Sequence, residues 1–236
     1  MTQSLPTRFS YSSSQALSPH SLSAQWTRTA HVTRLFSQAA IKRGLDLFIA
    51  ALALLVLSPI MAFVALLIKL TDGGPILYWQ TRVGRHGELF QFPKFRSMVV
   101  DADRLRAELI AENHHGESIT FKMARDPRIT PIGAFIRKTS IDELPQLWLV
   151  LRGHMSLVGP RPPLPSEVAR YDLHARRRLD LRPGLTCLWQ VMGRGDLPFE
   201  EQLNLDIQYI ESQSLRLDLW LLILTIPAVL LGRGAY

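Results

Sequence analysis

The sequence predicts a mostly helical α+β protein with one membrane segment close to its N-terminus. Three observations support this fold class. Residues 47–68 form an apolar run without a charge, two short runs with strand character flank a turn at 83–87, and several segments beyond residue 130 have helical spacing. A chain of 236 residues is long enough for one domain with an appendage.

Charge is distributed unevenly along the chain. The formal net charge of +7 suggests nucleic acid or an anionic bilayer as a partner. Residues 1–45 contain no acid and carry five bases, namely Arg8, Arg28, Arg34, Lys42 and Arg43. The remainder is nearly balanced and has no DNA-binding motif, which favours the bilayer and disfavours nucleic acid. The single cysteine, Cys187, excludes an intrachain disulfide and a cysteine-based zinc site.

Residues 1–38 are rich in serine and show no sustained apolar periodicity. This composition predicts a mostly disordered basic tail. An organelle transit peptide is the alternative, since such peptides are also rich in Ser and Arg and poor in acids. The segment lacks the clear amphipathic helix of a transit peptide, which favours the tail.

The apolar run at 47–68 is 22 residues long, enough to span about 33 Å as a helix. Ser58 and Pro59 lie at its midpoint, where proline kinks a helix and the serine hydroxyl can bond a carbonyl that has lost its donor. Both flanks are basic, with Lys42 and Arg43 before the run and Lys69 after it. A hairpin that enters and leaves by one face and a kinked single crossing both remain open.

The other elements follow in order. Strands are predicted at 76–80 and 88–92, a helix at 101–112 and a polar loop at 113–120. Further helices are predicted at 131–138, 140–151, 166–179 and 199–212, with a proline-rich loop at 160–165. The apolar stretch at 219–231 is too short to span a bilayer and is either an interfacial or a core helix.

The segment at 137–147 is the strongest candidate for chemistry. Ser140 and Glu143 have the spacing of a capping box, and Asp142 suits the first turn of a helix. A catalytic interpretation is the alternative: one carboxylate can attack a phosphoryl group, and a second can hold Mg²⁺ on diphosphate oxygens. Two cations, Arg137 and Lys138, lie shortly before the two carboxylates in the sequence.

Several cations lie in turns or extended segments. Prolines on both sides of Arg161 fix its backbone, so that little order would be lost on binding a phosphate. Lys94 follows a proline in an extended segment, Arg182 precedes a Pro-Gly pair, and Arg194 lies between two glycines. Each of these residues could also be an ordinary surface cation.

These segments together resemble the bacterial sugar transferase family, the monotopic phosphoglycosyl transferases. The resemblance covers residues 39–236, and the ending at 232–236 resembles the branch that starts exopolysaccharide synthesis. Six segments occur in the family order: KRGLD at 42–46, the apolar run with its Ser-Pro pair, KFRSM at 94–98, TSIDELPQ at 139–146, MSLVGPRP at 155–162 and RPGLT at 182–186.

The resemblance implies a re-entrant membrane helix at 39–72, broken at Ser58 and Pro59, and a cytoplasmic catalytic domain at 73–236 with an interfacial C-terminal helix. It implies transfer of a sugar phosphate from a UDP-sugar of the glucose or galactose type to undecaprenyl phosphate, with release of UMP. The location would be the cytoplasmic face of the bacterial inner membrane, at the first membrane step of exopolysaccharide, capsule or O-antigen synthesis. A homodimer is a further expectation, and a non-catalytic membrane scaffold is the alternative function.

The resemblance also implies roles for single residues. Asp142 matches the nucleophile that forms a covalent aspartyl phospho-sugar, and Glu143 matches the Mg²⁺ ligand. Five cations match positions that hold phosphates or the uridine: Lys94, Arg137, Arg161, Arg182 and Arg194. The chain departs from many relatives at Leu149, His154 and Cys187, none of which falls on the carboxylate pair. With only a short tail ahead of the domain, the chain is expected to be a minimal form.

Overall fold

The computed structural model describes residues 19–102, 104–105, 126–193 and 196–231. The chain divides into two compact units, Met1–Ile41 and Lys42–Tyr236. Helix α1 spans Pro19–Asp72 and contributes to both units. Residues 19–38 are therefore helical where the composition predicted a tail, and neither Gly nor Pro interrupts residues 20–41. The first 18 residues of the predicted tail lie outside the described residues.

The Ser-Pro pair lies inside α1 without a non-helical residue around it. Pro59 has no backbone donor for the carbonyl of Leu55, four residues earlier. The Ser58 hydroxyl donates to that same carbonyl oxygen at 2.8 Å, as the sequence predicted. The interruption of α1 is therefore the replacement of one backbone hydrogen bond, not the loop that a helix-break-helix pattern suggests. The segment Ser37–Thr71 is long and apolar enough to cross a membrane.

An antiparallel hairpin follows α1. Strand β1 spans Leu77–Val83 and strand β2 spans Leu89–Phe95, with a short 3₁₀ turn η1 at Arg85–Gly87. The two predicted strands are confirmed, but both extend three residues further towards the C-terminus. Pro93 lies within β2, and a two-stranded sheet tolerates proline because each strand has a free edge.

The next helices carry the candidate site. Helix α2 is Pro131–Lys138, with the bounds predicted from sequence, and Thr130 Oγ1 accepts a hydrogen bond from Gly133 N at 3.0 Å as its N-cap. The single helix predicted at 140–151 is instead a 3₁₀ helix η2, Ile141–Gln146, followed by α3, Leu147–Arg152. Pro145 accounts for this difference, because it cannot donate to the i−4 carbonyl of a continuous α-helix.

The C-terminal half consists of short elements and two longer helices. They are β3 Ser156–Val158, α4 Pro165–Val168, α5 Leu173–Arg176, η3 Arg177–Leu179, β4 Gly184–Thr186, α6 Leu188–Met192, α7 Phe199–Ser212 and α8 Leu215–Leu231. The helix predicted at 166–179 is divided into three pieces. The helix at 199–212 is confirmed, and the one predicted from 219 begins at 215. Most of the helix and loop predicted at 101–120 lies outside the described residues.

Strands β3 and β4 pair in parallel and were not predicted. Each has only three residues, and every residue of β3 is buried, so no alternation marks them in the sequence. The backbones of Gly159 and Gly184 lie against each other: a side chain on Gly184 would collide with the main chain of Gly159, and one on Gly159 with the carbonyl oxygen of Arg182. This approach places the loop after β3 beside the loop before β4.

The apolar run of α1 packs against the rest of the second unit on both sides of Pro59. Ala50 belongs to the main core, together with Met155, Leu157 and Leu221 of α8. After the proline, Val64 and Ile68 belong to a second cluster, whose other buried members are Phe95 and Ile136. Both halves of the apolar run therefore contact the same folded unit. Large side chains of the run such as Leu55 stay exposed.

Candidate active site

Residues Asp142 and Glu143 lie in the first turn of η2. The turn begins at Ser140, whose φ of 54° is left-handed, and Glu143 N donates to Ser140 O at 3.2 Å. The Ser140 side chain makes no capping hydrogen bond, and the Glu143 side chain bonds elsewhere. The predicted capping box is therefore wrong, because tertiary partners of Glu143 replace the local one.

Two cations converge on one oxygen of Glu143. Lys94 Nζ of β2 donates to Oε1 at 3.0 Å, and an Arg161 guanidinium nitrogen donates to the same atom at 2.8 Å. About a sixth of the Glu143 side chain is exposed (17%), so these are largely desolvated ion pairs. None of the described residues donates a hydrogen bond to its other oxygen, Oε2.

The environment shifts the pKa values of the two neighbouring carboxylates in opposite directions. Burial raises the pKa of Asp142 to about 6, with the Lys94 charge opposing the rise and the Glu143 charge adding to it. Burial would also raise the pKa of Glu143, but the positive charges of Arg161 and Lys94 outweigh it and hold that pKa far below its usual value. No described residue donates a hydrogen bond to the buried Asp142 carboxylate.

The Asp142 side chain lines a polar cavity of about 430 Å³. We use this name for the space between the hairpin, the segment at 96–102 and the end of α2. Five cationic side chains line it: Arg82, Lys94, Arg96, Arg128 and Arg137. With one carboxylate facing several cations, the polar cavity suits a polyanion such as a diphosphate.

Glu143 lines a different space, an apolar cavity of about 470 Å³. Leu57 and Ile60 of α1 form one side of it, and Leu222 and Ala228 of α8 contribute to another. Glu143 is the only charged residue among the described residues that line it. The carboxylate pair thus lies between a polar and an apolar compartment.

The loop that carries Arg161 is held by the hairpin. Arg82 donates to Pro162 O at 2.9 Å, and Val83 N donates to Pro163 O at 3.0 Å. Arg82 also donates to Gln80 Oε1 at 2.6 Å and lies 5.3 Å from the centre of the Phe92 ring. Burial and the nearby Arg161 charge lower the pKa of Arg82 to about 10, which leaves it cationic at neutral pH.

Arg82 was not among the residues selected from the sequence. The first strand was predicted to end at Gln80 and the turn to begin at Val83, so Arg82 fell between them. Arg82 and Gln80 are two residues apart on β1, so their side chains share one face of the strand, and both line the polar cavity. A longer strand would have placed these two side chains together.

The remaining selected cations are placed differently. Arg137 lines the polar cavity at the end of α2. Arg182 is exposed and lines neither cavity, although its backbone lies against Gly159. Arg194 lies outside the described residues. The structure therefore brings Lys94, Arg137 and Arg161 around the carboxylate pair, but not Arg182.

The described hydrogen bonds and ring contacts of the three departures from the family pattern include neither carboxylate. Leu149 is buried in the main core, where an apolar side chain fits. His154 is exposed and stacks on Phe90, with ring centroids 5.9 Å apart. Cys187 is buried, donates to Gln190 Oε1 at 3.1 Å, and has its pKa raised by burial, so the thiol is protonated.

Comparison with known proteins gives consistent matches. The galactosyl transferase CpsE of Streptococcus agalactiae is 47% identical over 201 residues, which are 85% of this chain and 44% of that protein. The exopolysaccharide production protein ExoY of Sinorhizobium fredii is 44% identical over 198 residues, 83% of this chain and 88% of that protein. The undecaprenyl-phosphate galactose phosphotransferase of Salmonella typhimurium is 44% identical over 204 residues, 85% of this chain and 42% of that protein.

The chain spans less than half the length of two of these relatives and most of the third. The family model described as bacterial sugar transferase matches residues 37–232, which include the carboxylate pair, both cavities and nearly all of the described cations. This chain therefore belongs to the bacterial sugar transferase family.

Proposed function

We propose that this protein transfers a sugar 1-phosphate from a UDP-sugar of the glucose or galactose type to undecaprenyl phosphate and releases UMP. The observation that carries the proposal is the position of the carboxylate pair, with Asp142 in the polar cavity and Glu143 in the apolar cavity. A nucleotide donor is soluble and its acceptor is a lipid, so the enzyme needs one compartment of each kind at a shared reaction centre.

The first displacement uses Asp142 as the nucleophile. A carboxylate oxygen attacks the β-phosphorus of the donor and forms an acyl-phosphate bond. The bond from that phosphorus to the bridging oxygen breaks, and UMP leaves with the bridging oxygen. The pKa of Asp142, raised to about 6, supports this role because the group is ionised at neutral pH but is a better nucleophile than an ordinary carboxylate.

The second displacement returns Asp142 to its starting state. A phosphate oxygen of the acceptor attacks the same phosphorus, and the bond to the Asp142 oxygen breaks. The product is a polyprenyl diphosphate sugar, and the carboxylate is free again. Because the two substrates react in turn, they need not occupy the site together.

The residues present fit the proposed Mg²⁺. The ion binds through one or two carboxylates together with substrate phosphates and water. Glu143 has one oxygen that no described residue occupies, and the described residues contain no group of three acidic, His or Cys ligands that would form a cage. Glu143 would hold the ion, which neutralises charge on the leaving phosphate.

The apolar cavity is the proposed place of the acceptor's isoprenoid chain. Its walls come from α1 near Pro59 and from α8, and these are the two helices with the most exposed apolar surface. A lipid that enters between them from the bilayer would bring its phosphate towards Glu143. Lys94 and Arg161 would then steady the phosphate charge.

The same packing supports a re-entrant course for α1, which we place at the cytoplasmic face of the inner membrane. Residues before and after Pro59 contact one folded unit, in which Lys42 and Ile68 are both held. A helix that crossed the bilayer would place these two ends on opposite sides. The folded unit can contact both ends of the apolar segment only if those ends lie on one face of the membrane.

The deciding experiment uses the full chain in lipid nanodiscs, with UDP-galactose and UDP-glucose labelled in the β-phosphate. The wild type is expected to form a labelled protein adduct and, with undecaprenyl phosphate and Mg²⁺, to release UMP. Asp142→Asn should form no adduct, whereas the control Asp180→Asn, at an exposed position, should behave as the wild type. A wild type that releases no UMP with any donor would instead indicate the non-catalytic scaffold.

A further inference from the structure

The basic residues at the start of the membrane segment are bonded within the folded unit. Arg43 donates to Val150 O at 2.8 Å and to Leu151 O at 3.2 Å, two carbonyls near the end of α3. Lys42 donates to Asp218 Oδ2 at 2.7 Å and to Val158 O at 3.3 Å. These two charges therefore contact protein groups, although the sequence had suggested the lipid surface for them.

Asp218 connects Lys42 to α7. The Tyr209 hydroxyl donates to Asp218 Oδ1 at 2.6 Å and lies 3.2 Å from Val158 O. Asp218 and Tyr209 are both buried, and burial together with the carboxylate raises the pKa of Tyr209, so the hydroxyl keeps its proton. The Asp218 carboxylate of α8 thus holds the Lys42 ammonium and the Tyr209 hydroxyl against the carbonyl of Val158, the last residue of β3.

The rest of β3 is bonded to α1 as well. Asp46, one helical turn after Lys42, accepts from Ser156 Oγ at 2.8 Å and from Leu157 N at 3.3 Å. All three residues of β3 therefore bond to side chains of the helices that surround it. We call Lys42, Asp46, Tyr209 and Asp218 the β3 clamp.

Strand β3 leads directly into the active-site loop. Only Gly159 and Pro160 separate Val158 from Arg161, and the backbones of Gly159 and Gly184 lie in close contact. The prolines around Arg161 restrict its backbone. A displacement of Val158 would therefore move Arg161 away from the Glu143 oxygen that it contacts at 2.8 Å.

We propose that Lys42 and Asp218 are positioning residues for Arg161, which act by holding β3 through the clamp. Both lie at the beginning of apolar segments, Lys42 ahead of the run in α1 and Asp218 in the first turn of α8. The seating of the two apolar helices in the bilayer thereby sets the geometry of the catalytic loop. The effect of the clamp on activity rests on the proposed function, whereas its effect on amide exchange in β3 does not.

The test replaces the ion pair as a unit, since removing one partner would leave a buried charge. The full-length double variant Lys42→Met with Asp218→Leu should melt within a few degrees of the wild type. Amide hydrogen exchange over residues 156–161 should be about tenfold faster, and sugar-phosphate transfer should fall by about 100-fold. Glu200→Gln, at an exposed position in α7, is the control and should leave both measurements unchanged.

Tyr209→Phe is the second variant, because it removes only a hydroxyl and decides the matter if the double variant does not fold. It should speed exchange at 156–161 several-fold and slow transfer several-fold. In an Arg161→Lys background its effect on transfer should disappear, whereas a general loss of stability would multiply the two effects. Unchanged exchange at 156–161 in a folded variant would overturn the proposal, even if the wild type proves inactive as a transferase.

Discussion

Asp142 and Glu143 are adjacent in the chain, yet their side chains line two different cavities. The 3₁₀ geometry of η2 directs one carboxylate towards the cations of the hairpin side and the other towards α1 and α8. Glu143 has two cationic partners and Asp142 has no hydrogen-bond donor among the described residues. This asymmetry gives the two carboxylates opposite effects on stability, which can be measured separately.

Asp142→Asn is expected to stabilise the fold while it abolishes the covalent adduct. The pKa of Asp142 is raised from 3.8 to about 6, so the ionised group opposes folding at pH 8. A shift of about two units corresponds to about 3 kcal/mol, or about 5 °C or more in melting temperature. The folded state binds the proton more tightly, so this gain should shrink as the pH falls through 6 and vanish near 4. Thermal unfolding at pH 8 and pH 5 checks it, and equal gains at both would contradict the assignment.

Glu143→Gln should have the opposite effect. Its pKa is lowered, so the carboxylate stabilises the fold above its unfolded pKa, and this contribution is lost only as the pH falls below the usual range of a glutamate. Removing the charge leaves Lys94 and Arg161 without an anionic partner, at a cost of about 3 kcal/mol or more. We expect the melting temperature to fall by a similar amount at pH 8 and at pH 5. A deficit confined to pH 8 would mean that Glu143 is not held by these cations.

Local signals predicted the elements that local interactions stabilise. Helix α2 has its proline at the first turn and its threonine cap, and α7 has a regular apolar face, so both were found with their bounds. The position of the carboxylate pair was also evident, because the motif that contains it is contiguous.

Contacts between distant segments could not be predicted from the sequence. The partners of Glu143 are 49 and 18 residues away, and the capping box was the better local choice. Strands β3 and β4 are too short to show a period, and their pairing depends on the contact between Gly159 and Gly184. The clamp on β3 joins Lys42 to a residue 176 positions later, which no local pattern indicates.

Ala228→Trp should separate the two half-reactions. Ala228 lines the apolar cavity on α8 and a tryptophan there would fill much of it, while the polar cavity is unaffected. Adduct formation from the labelled UDP-sugar should stay within about twofold of the wild type. Transfer from the adduct to undecaprenyl phosphate should slow by about tenfold or more, as expected when misplacement affects one substrate. The conservative control is Ala228→Ser, and equal loss in both half-reactions would place the acceptor elsewhere.

Cysteine accessibility tests the course of α1. The native Cys187 is buried, so single cysteines introduced at residues 40 and 72 can be labelled selectively with a membrane-impermeant maleimide. A re-entrant helix places both on the cytoplasmic face, and both should react in inverted inner-membrane vesicles and neither in intact spheroplasts. A cysteine in place of Leu55, which is 74% exposed near the middle of the run, should be protected in both preparations. Labelling of 40 and 72 from opposite sides would mean a crossing helix, and the contacts of Ala50 and Val64 with one folded unit would then not exist in the membrane.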